Sequence, residues 1–307
     1  MFLRRILTLT IAMGGLFGCQ LIVALSNEQC EVDSDCTELL GDAYVCSQET
    51  RVCERASDPD GGLPPLPEAW SCLRGNLPNS ENLPEHERNG DQVDLSIAVV
   101  EYTTRGFPAE LRARACLPSD LDCGTPYLED VRLDEEGYLN LSLPYAFTGR
   151  LEMETPGYMP MLWYVNRPIY EDYRTFGASL VTPRELESIS TRSDDELAVD
   201  SGLVIFALFD CNDEPAEGLT VTRTDDAPDV RFYFDGPLPD QDLEVSRVST
   251  ELSHDMSPIA AGGFFNAKPG FVRYEVHLAE TGDLVSTAEV EIRAGHMTTV
   301  AFYPGDF

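Results

Sequence analysis

The sequence predicts a mainly β protein: two antiparallel β-sandwich domains behind a small disulfide-rich module, with one short helix in the connector between them. Three observations carry this reading. From Trp70 onward, short segments alternate apolar and polar residues between turn residues, the pattern of half-buried strands. Four cysteines, Cys30, Cys36, Cys46 and Cys53, crowd a stretch with too few large apolar residues to build a core. Only at TPRELESIST does the pattern switch to that of a helix start.

The elements follow in order. Residues 1–18 have the plan of an export signal: Arg4 and Arg5, then ILTLTIAMGGLFG, then Cys19. Residues 19–54 hold a tether and the four-cysteine module, in which two disulfides are favoured over zinc. The spacing C-x5-C-x9-C-x6-C lacks CxxC pairs, and no histidine lies nearby. Asp33 and Asp35 offer two carboxylates, well short of the roughly six to eight oxygens that calcium takes. Residues 55–69 are rich in Pro and Gly and read as a linker.

Residues 70–166 form the first sandwich, with strands at DLSIAVVEY, AELRARAC, YLNLSL, RLEMET and MLWYVN. In RLEMET, Leu151 and Met153 share one face while Glu152 and Glu154 share the other. Residues 167–200 are the connector. Its helix is predicted from Thr182 at the N-cap, Pro183 at N1 and Glu185 at N3, and the acids of SDDELAVD read as a solvated face. Residues 201–307 form the second sandwich, running from GLVIFALFDC to MTTVAFYP, with a hairpin turn at ETGD. DEEGYLNLSLPYAFTGRLEMET and AGGFFNAKPGFVRYEVH echo one another, as two copies of one sandwich type would.

The chain has nine cysteines, an odd number in what reads as an exported protein. Setting Cys19 aside leaves eight that can pair. Cys116 and Cys123 bracket LPSDLD, a loop that a local disulfide would close, and elimination then pairs Cys72 with Cys211. With 54 acidic against 21 basic residues the formal net charge is −33, which repels phosphate backbones and excludes a nucleic-acid partner. The 43% of hydrophobic residues excludes a disordered acidic tail. No stretch after residue 25 reaches a membrane-spanning length, so residues 26–307 are read as soluble.

The second block resembles a known family, from Gly202-Leu-Val-Ile through Gly263-Phe-Phe-Asn-Ala-Lys-Pro-Gly270 to Arg293-Ala-Gly-His-Met-Thr-Thr-Val300. It is similar to carboxypeptidase regulatory-like domains, which are transthyretin-like β-sandwiches, and the first block looks like a more diverged member. The resemblance implies non-catalytic accessory modules, with no catalytic residue to carry over. The cysteine module followed by such sandwiches also resembles cell-surface lipoproteins of large-genome Gram-negative bacteria. Leu16, Phe17, Gly18 and Cys19 resemble a lipobox, which implies cleavage before Cys19 and diacylglycerol on its thiol. Phe17 is bulkier than usual, and apolar LIVAL follows the cysteine. These departures leave a rival, an uncleaved anchor spanning Ile6 to Leu25, which exports the same C-terminal part.

The chain contains no GxSxG, HExxH, Walker A, GxGxxG or SxxK pattern, and no catalytic, metal or cofactor site is expected. His86, His254, His277 and His296 are scattered without ligand spacing. Trp163, Tyr164, Tyr170 and Tyr173 in MLWYVNRPIYEDYRTF are a candidate platform for a sugar or a protein. Core and joint filler is the favoured reading of them. DCNDEPAEG and TDDAPDV could gather calcium, but acidic turn chemistry is favoured. The expected protein is a cell-envelope lipoprotein at the outer membrane or cell surface. It binds the membrane through its lipid anchor and displays a structural or binding module for a protein or glycan. The alternatives are an envelope hydrolase with a carboxylate site and a calcium-dependent adhesin.

Overall fold

In YLNLSL, Leu139, Leu141 and Leu143 are buried while the residues between them are not, so the written alternation becomes a strand with one face in the core. GFVRYEVHL does the same with Val272, Tyr274, Val276 and Leu278. The computed structural model describes residues 32, 44–46, 53–55, 66–73, 92–192, 198, 200–225, 230–236, 238–250 and 258–305. The chain divides into two units, residues 1–66 and 67–307. In the first, β1 (Tyr44–Cys46) and β2 (Cys53–Arg55) pair antiparallel with Cys46 opposite Cys53. Cys46 is buried and disulfide-bonded. Leu16, Phe17, Gly18, Cys19, Cys30 and Cys36 lie outside the described residues, as do His86, His254 and most of the linker.

The second unit opens with a 3₁₀-helix, Glu68–Leu73, which buries Trp70. The first block follows: β3 (Gln92–Glu101), β4 (Arg112–Cys116), β5 (Leu128–Val131), β6 (Tyr138–Pro144), β7 (Phe147–Glu154), β8 (Met161–Ile169) and β9 (Tyr173–Leu180). After α1 (Pro183–Arg192) come β10 (Gly202–Leu208), β11 (Leu219–Arg223), β12 (Val230–Phe234), β13 (Pro239–Asp240) and β14 (Val248–Ser249). β15 (Ile259–Ala267), β16 (Gly270–Leu278), β17 (Leu284–Ile292) and β18 (Met297–Phe302) complete the unit. The fold is mainly β, as the alternation predicts. No described helix is long and apolar enough to cross a membrane.

The two blocks share one sheet. Its order is β13-β12-β15-β10-β18-β8-β7-β4-β5, with β14 also on β15, and β18 lies parallel to both β10 and β8. A three-stranded sheet, β6-β3-β9, covers one face, where Leu151, Met153, Leu203, Phe232, Phe265 and Met297 enter the core of the first block. The other three-stranded sheet, β11-β16-β17, covers the opposite face: Phe264 packs on Tyr274, and the Tyr233 hydroxyl accepts the Val221 N–H at 2.8 Å. The glycine pair of GGFFN admits one ring on each face. A Cβ on Gly262 would stand 2.7 Å from the Phe206 ring, and one on Gly263 would stand 2.5 Å from that of Phe232.

Two features depart from the reading as two separate antiparallel sandwiches. The blocks are joined in one sheet, because β18 pairs parallel with both β10 and β8. The stretch read as a connector contains a full strand, β9, which runs parallel to β3. Gly177 is the extra residue in that pairing, a bulge that interrupts the period of two and hides the strand from an alternation test. The helix itself starts where its cap predicts. The Thr182 hydroxyl accepts the Glu185 N–H at 3.1 Å, and the Glu185 carboxylate accepts the Thr182 N–H at 2.8 Å.

Candidate functional site

Because the three-stranded sheet β6-β3-β9 ends at β9, it does not seal the face of β10 and β18 beneath it. The two faces of these strands differ accordingly. Val204, Phe206, Leu208, Val300 and Phe302 are buried under β11-β16-β17, whereas Ile205, Ala207, Thr299 and Ala301 are only partly covered. They form the floor of a cleft of about 530 Å³. β9, β3 and α1 make its other wall, with Ala178, Val100 and Leu186 facing in.

The depth of the cleft comes from small side chains in register. Ala207 pairs with Ala261 on one side and with Ala301 on the other, so three alanines lie in a row across β15, β10 and β18. Large rings flank this row. Phe232 and Phe265 stack with centroids 4.3 Å apart, and Trp163, paired with Thr299, stands on the other side. Leu203, Ile205, Ala207 and Phe209 all line the cleft, and their six residue steps at about 3.3 Å give a groove about 20 Å long.

At one end the groove meets a polar-aromatic group. Tyr303 stacks on Phe209 at 4.7 Å, the Arg167 guanidinium lies 5.2 Å over the Tyr303 ring, and Arg167 Nη1 reaches Asp213 Oδ1 at 2.7 Å. Burial raises the Tyr303 phenol above its ordinary range, helped by the neighbouring Tyr173 and by Asp213 and opposed by Arg167. Tyr170 packs on Tyr145 at 5.3 Å, and Tyr173 is exposed. Of the four aromatics singled out in the sequence, Trp163, Tyr170 and Tyr173 therefore contribute side chains to one cleft. Tyr164 points to the opposite face and accepts the Glu291 N–H at 2.8 Å, although it borders the cleft as well. Ala207, Ala261, Ala301, Phe209 and Tyr303 escaped the sequence reading. Ala207 and Ala301 carry one signal, a small residue where GLVIFAL and MTTVAF otherwise place larger ones, and the other three carry none.

The remaining candidates have structural partners. Cys72–Cys211 and Cys116–Cys123 are disulfides, with Cα atoms 5.8 and 5.3 Å apart. Among the described residues the one cluster of metal-ligating type is Cys116, Cys123 and Glu152, and its sulfurs are already bonded to each other. Glu152 is buried and accepts hydrogen bonds from Arg114 and from Arg150 Nε at 3.1 Å, while Arg293 Nη1 lies 2.9 Å away. Burial pushes its carboxyl up, but these three guanidinium groups outweigh burial and hold it below the ordinary carboxylate range. In DCNDEPAEG, Asp210 accepts the backbone N–H groups of Asn212 and Glu214 at 2.7 and 3.0 Å, which is turn chemistry. Asp225 of TDDAPDV pairs with Arg223. The His277 ring lies 3.3 Å from both Glu275 Oε2 and the Gly282 carbonyl, and His296 lies 2.9 Å from the Ala294 carbonyl.

No family model matches the chain, and none of the curated proteins does. Among solved structures, 16 chains match. The Bacillus anthracis TIE protein is 13% identical with a TM-score of 0.21; the match covers 68% of this chain and 33% of that one. The chain thus spans about a third of the length of that protein. The shaft pilin SpaA of Lactobacillus rhamnosus GG is 9% identical with a TM-score of 0.23, over 70% of this chain and 98% of that one. The fimbrial anchor protein Mfa2 of Porphyromonas gingivalis is 11% identical with a TM-score of 0.18, over 66% of this chain and 82% of that one. Scores this low assign neither a family nor an activity.

Proposed function

We propose that the chain is an exported, lipid-anchored protein of the cell envelope whose β unit binds a ligand in the cleft without transforming it. The observation that carries the binding reading is the Ala261–Ala207–Ala301 row, which hollows an otherwise packed sheet face between aromatic walls. At the mouth, the charged groups Arg167 and Asp213 hold each other rather than a nucleophile. Export is supported by the two disulfides, which persist in oxidising compartments, and by the plan of residues 1–18. Lipid anchoring at Cys19 rests on the lipobox resemblance of Leu16, Phe17 and Gly18, and on the odd cysteine count. The transthyretin-like, carboxypeptidase regulatory-like reading of the second block belongs to the same proposal and agrees with a binding module.

The anchor is tested by the intact mass of the membrane-extracted protein. A diacylglycerol adduct on a chain beginning at Cys19 supports it, and a species retaining Met1 to Gly18 overturns it. The binding reading is tested by a hydrolysis screen on glycans and peptides together with a thermal-shift screen on the same compounds. Shifts without turnover are expected. Turnover that disappears in Glu171→Gln or Asp213→Asn, acids that line the cleft, would move the chain to the hydrolase reading.

A further inference from the structure

On the reading that the cleft is a binding site, we propose that its occupant is an extended, cationic peptide strand that pairs with β9 and covers β10 and β18. Three observations support this. First, β9 is the terminal strand of its sheet, so one of its edges carries backbone groups not used by β3. A strand added there would continue the order β6-β3-β9 by one and would lie above the partly covered residues of β10 and β18. Second, the shape of the groove suits a strand. It runs along β10 for about 20 Å, the length of about six extended residues, and its floor is apolar. The alanine row leaves room for side chains that a strand would direct downward at every second residue, with the polar partners left on its outer face.

Third, both ends of the groove are acidic. Glu171 lines one end beside the mutually paired Arg167 and Asp213, which leaves that end with one net negative charge, while exposed Asp235 and Asp240 adjoin the lining residues Phe234 and Pro239 at the other. The whole chain carries −33, so an anionic or neutral strand would lack the attraction that a basic one has. An aliphatic lipid would fill the apolar floor as well, but it would leave the edge of β9 unpaired and make no use of the acidic ends.

The test uses the full oxidised chain and four probes: a ten-residue peptide alternating valine and arginine, one alternating valine and glutamate, a block-ordered peptide of valine and arginine, and palmitate. The expected result is saturable binding of the first alone, weakening at least tenfold between low and high salt, with slowed amide exchange in Tyr173–Leu180. Ala207→Phe is expected to weaken it at least tenfold. Where that variant fails to fold, the exchange measurement on the unaltered chain decides. Equal binding of the glutamate or block-ordered peptide overturns the proposal, as does peptide binding without protection of β9. Palmitate binding alone overturns the strand but keeps the cleft as a binding site; binding of no probe removes both.

Discussion

Glu152 has 6% of its side chain exposed, yet it is ionised because three arginines reach it. Removing the charge in Glu152→Gln takes the carboxylate from Arg114 and leaves Arg150 and Arg293 to share Glu291. We expect a loss of about 3–5 kcal/mol in urea unfolding, the range for breaking a buried pair. The pH dependence has a definite sign. The folded carboxyl titrates below its unfolded value of about 4.3, so its contribution is present above that pH and fades as pH falls through the folded value. The Gln variant is expected to show a flatter acid limb below about pH 4.5, read by urea midpoints across pH. Alternation in RLEMET correctly sets Leu151 and Met153 against Glu152 and Glu154, but it leaves Glu152 in solvent. The glutamate is buried because β17 brings Arg293 over the second face, and a period of two says nothing about whether both faces are covered.

Among the elements, α1 was legible because its cap is local: Thr182, Pro183 and Glu185 lie within four residues. Thr182→Ala is expected to cost about 1 kcal/mol, measured by thermal or urea unfolding, since it removes the acceptor for the Glu185 N–H. β9 was not legible. Its residues, YRTFGASL, mix charge with a bulge, and it forms only because β3 offers a parallel edge. The local disulfide at Cys116 and Cys123 could be read from its spacing, and its long-range companion followed by elimination. The two pairs close very different loops, with separations of 7 and 139 residues. Loop-closure entropy then gives Cys116–Cys123 about 2.5 kcal/mol and Cys72–Cys211 about 5 kcal/mol. Paired Cys→Ser replacements compared by urea unfolding should fall in that order. The reverse order would mean that reduced chains keep the 3₁₀-helix docked without its bond.

For the molecule as a whole, the mainly β character was legible but the joining of the two blocks into one sheet was not. Hydrophobic pattern says which face of a strand is buried, but it does not say which neighbour the strand will take. Met297, Thr298, Thr299 and Val300 pair with Met161, Leu162, Trp163 and Tyr164, and that register turns two blocks into one sheet. Residues 67–305 are therefore expected to melt in a single calorimetric transition, and two resolved transitions would show that the blocks are independent. With a charge of −33, moderate salt is expected to raise the melting temperature by screening self-repulsion. The position of β18 also bears on biosynthesis. Of the described strands it is the last to leave the ribosome, yet it stands inside the sheet between β10 and β8. Until Met297–Phe302 emerges, β8 and β10 each present a naked border to the cell. The shared sheet cannot close before that strand has emerged, so a secretion channel that admits only unfolded polypeptide would have to take this unit up before its halves lock together.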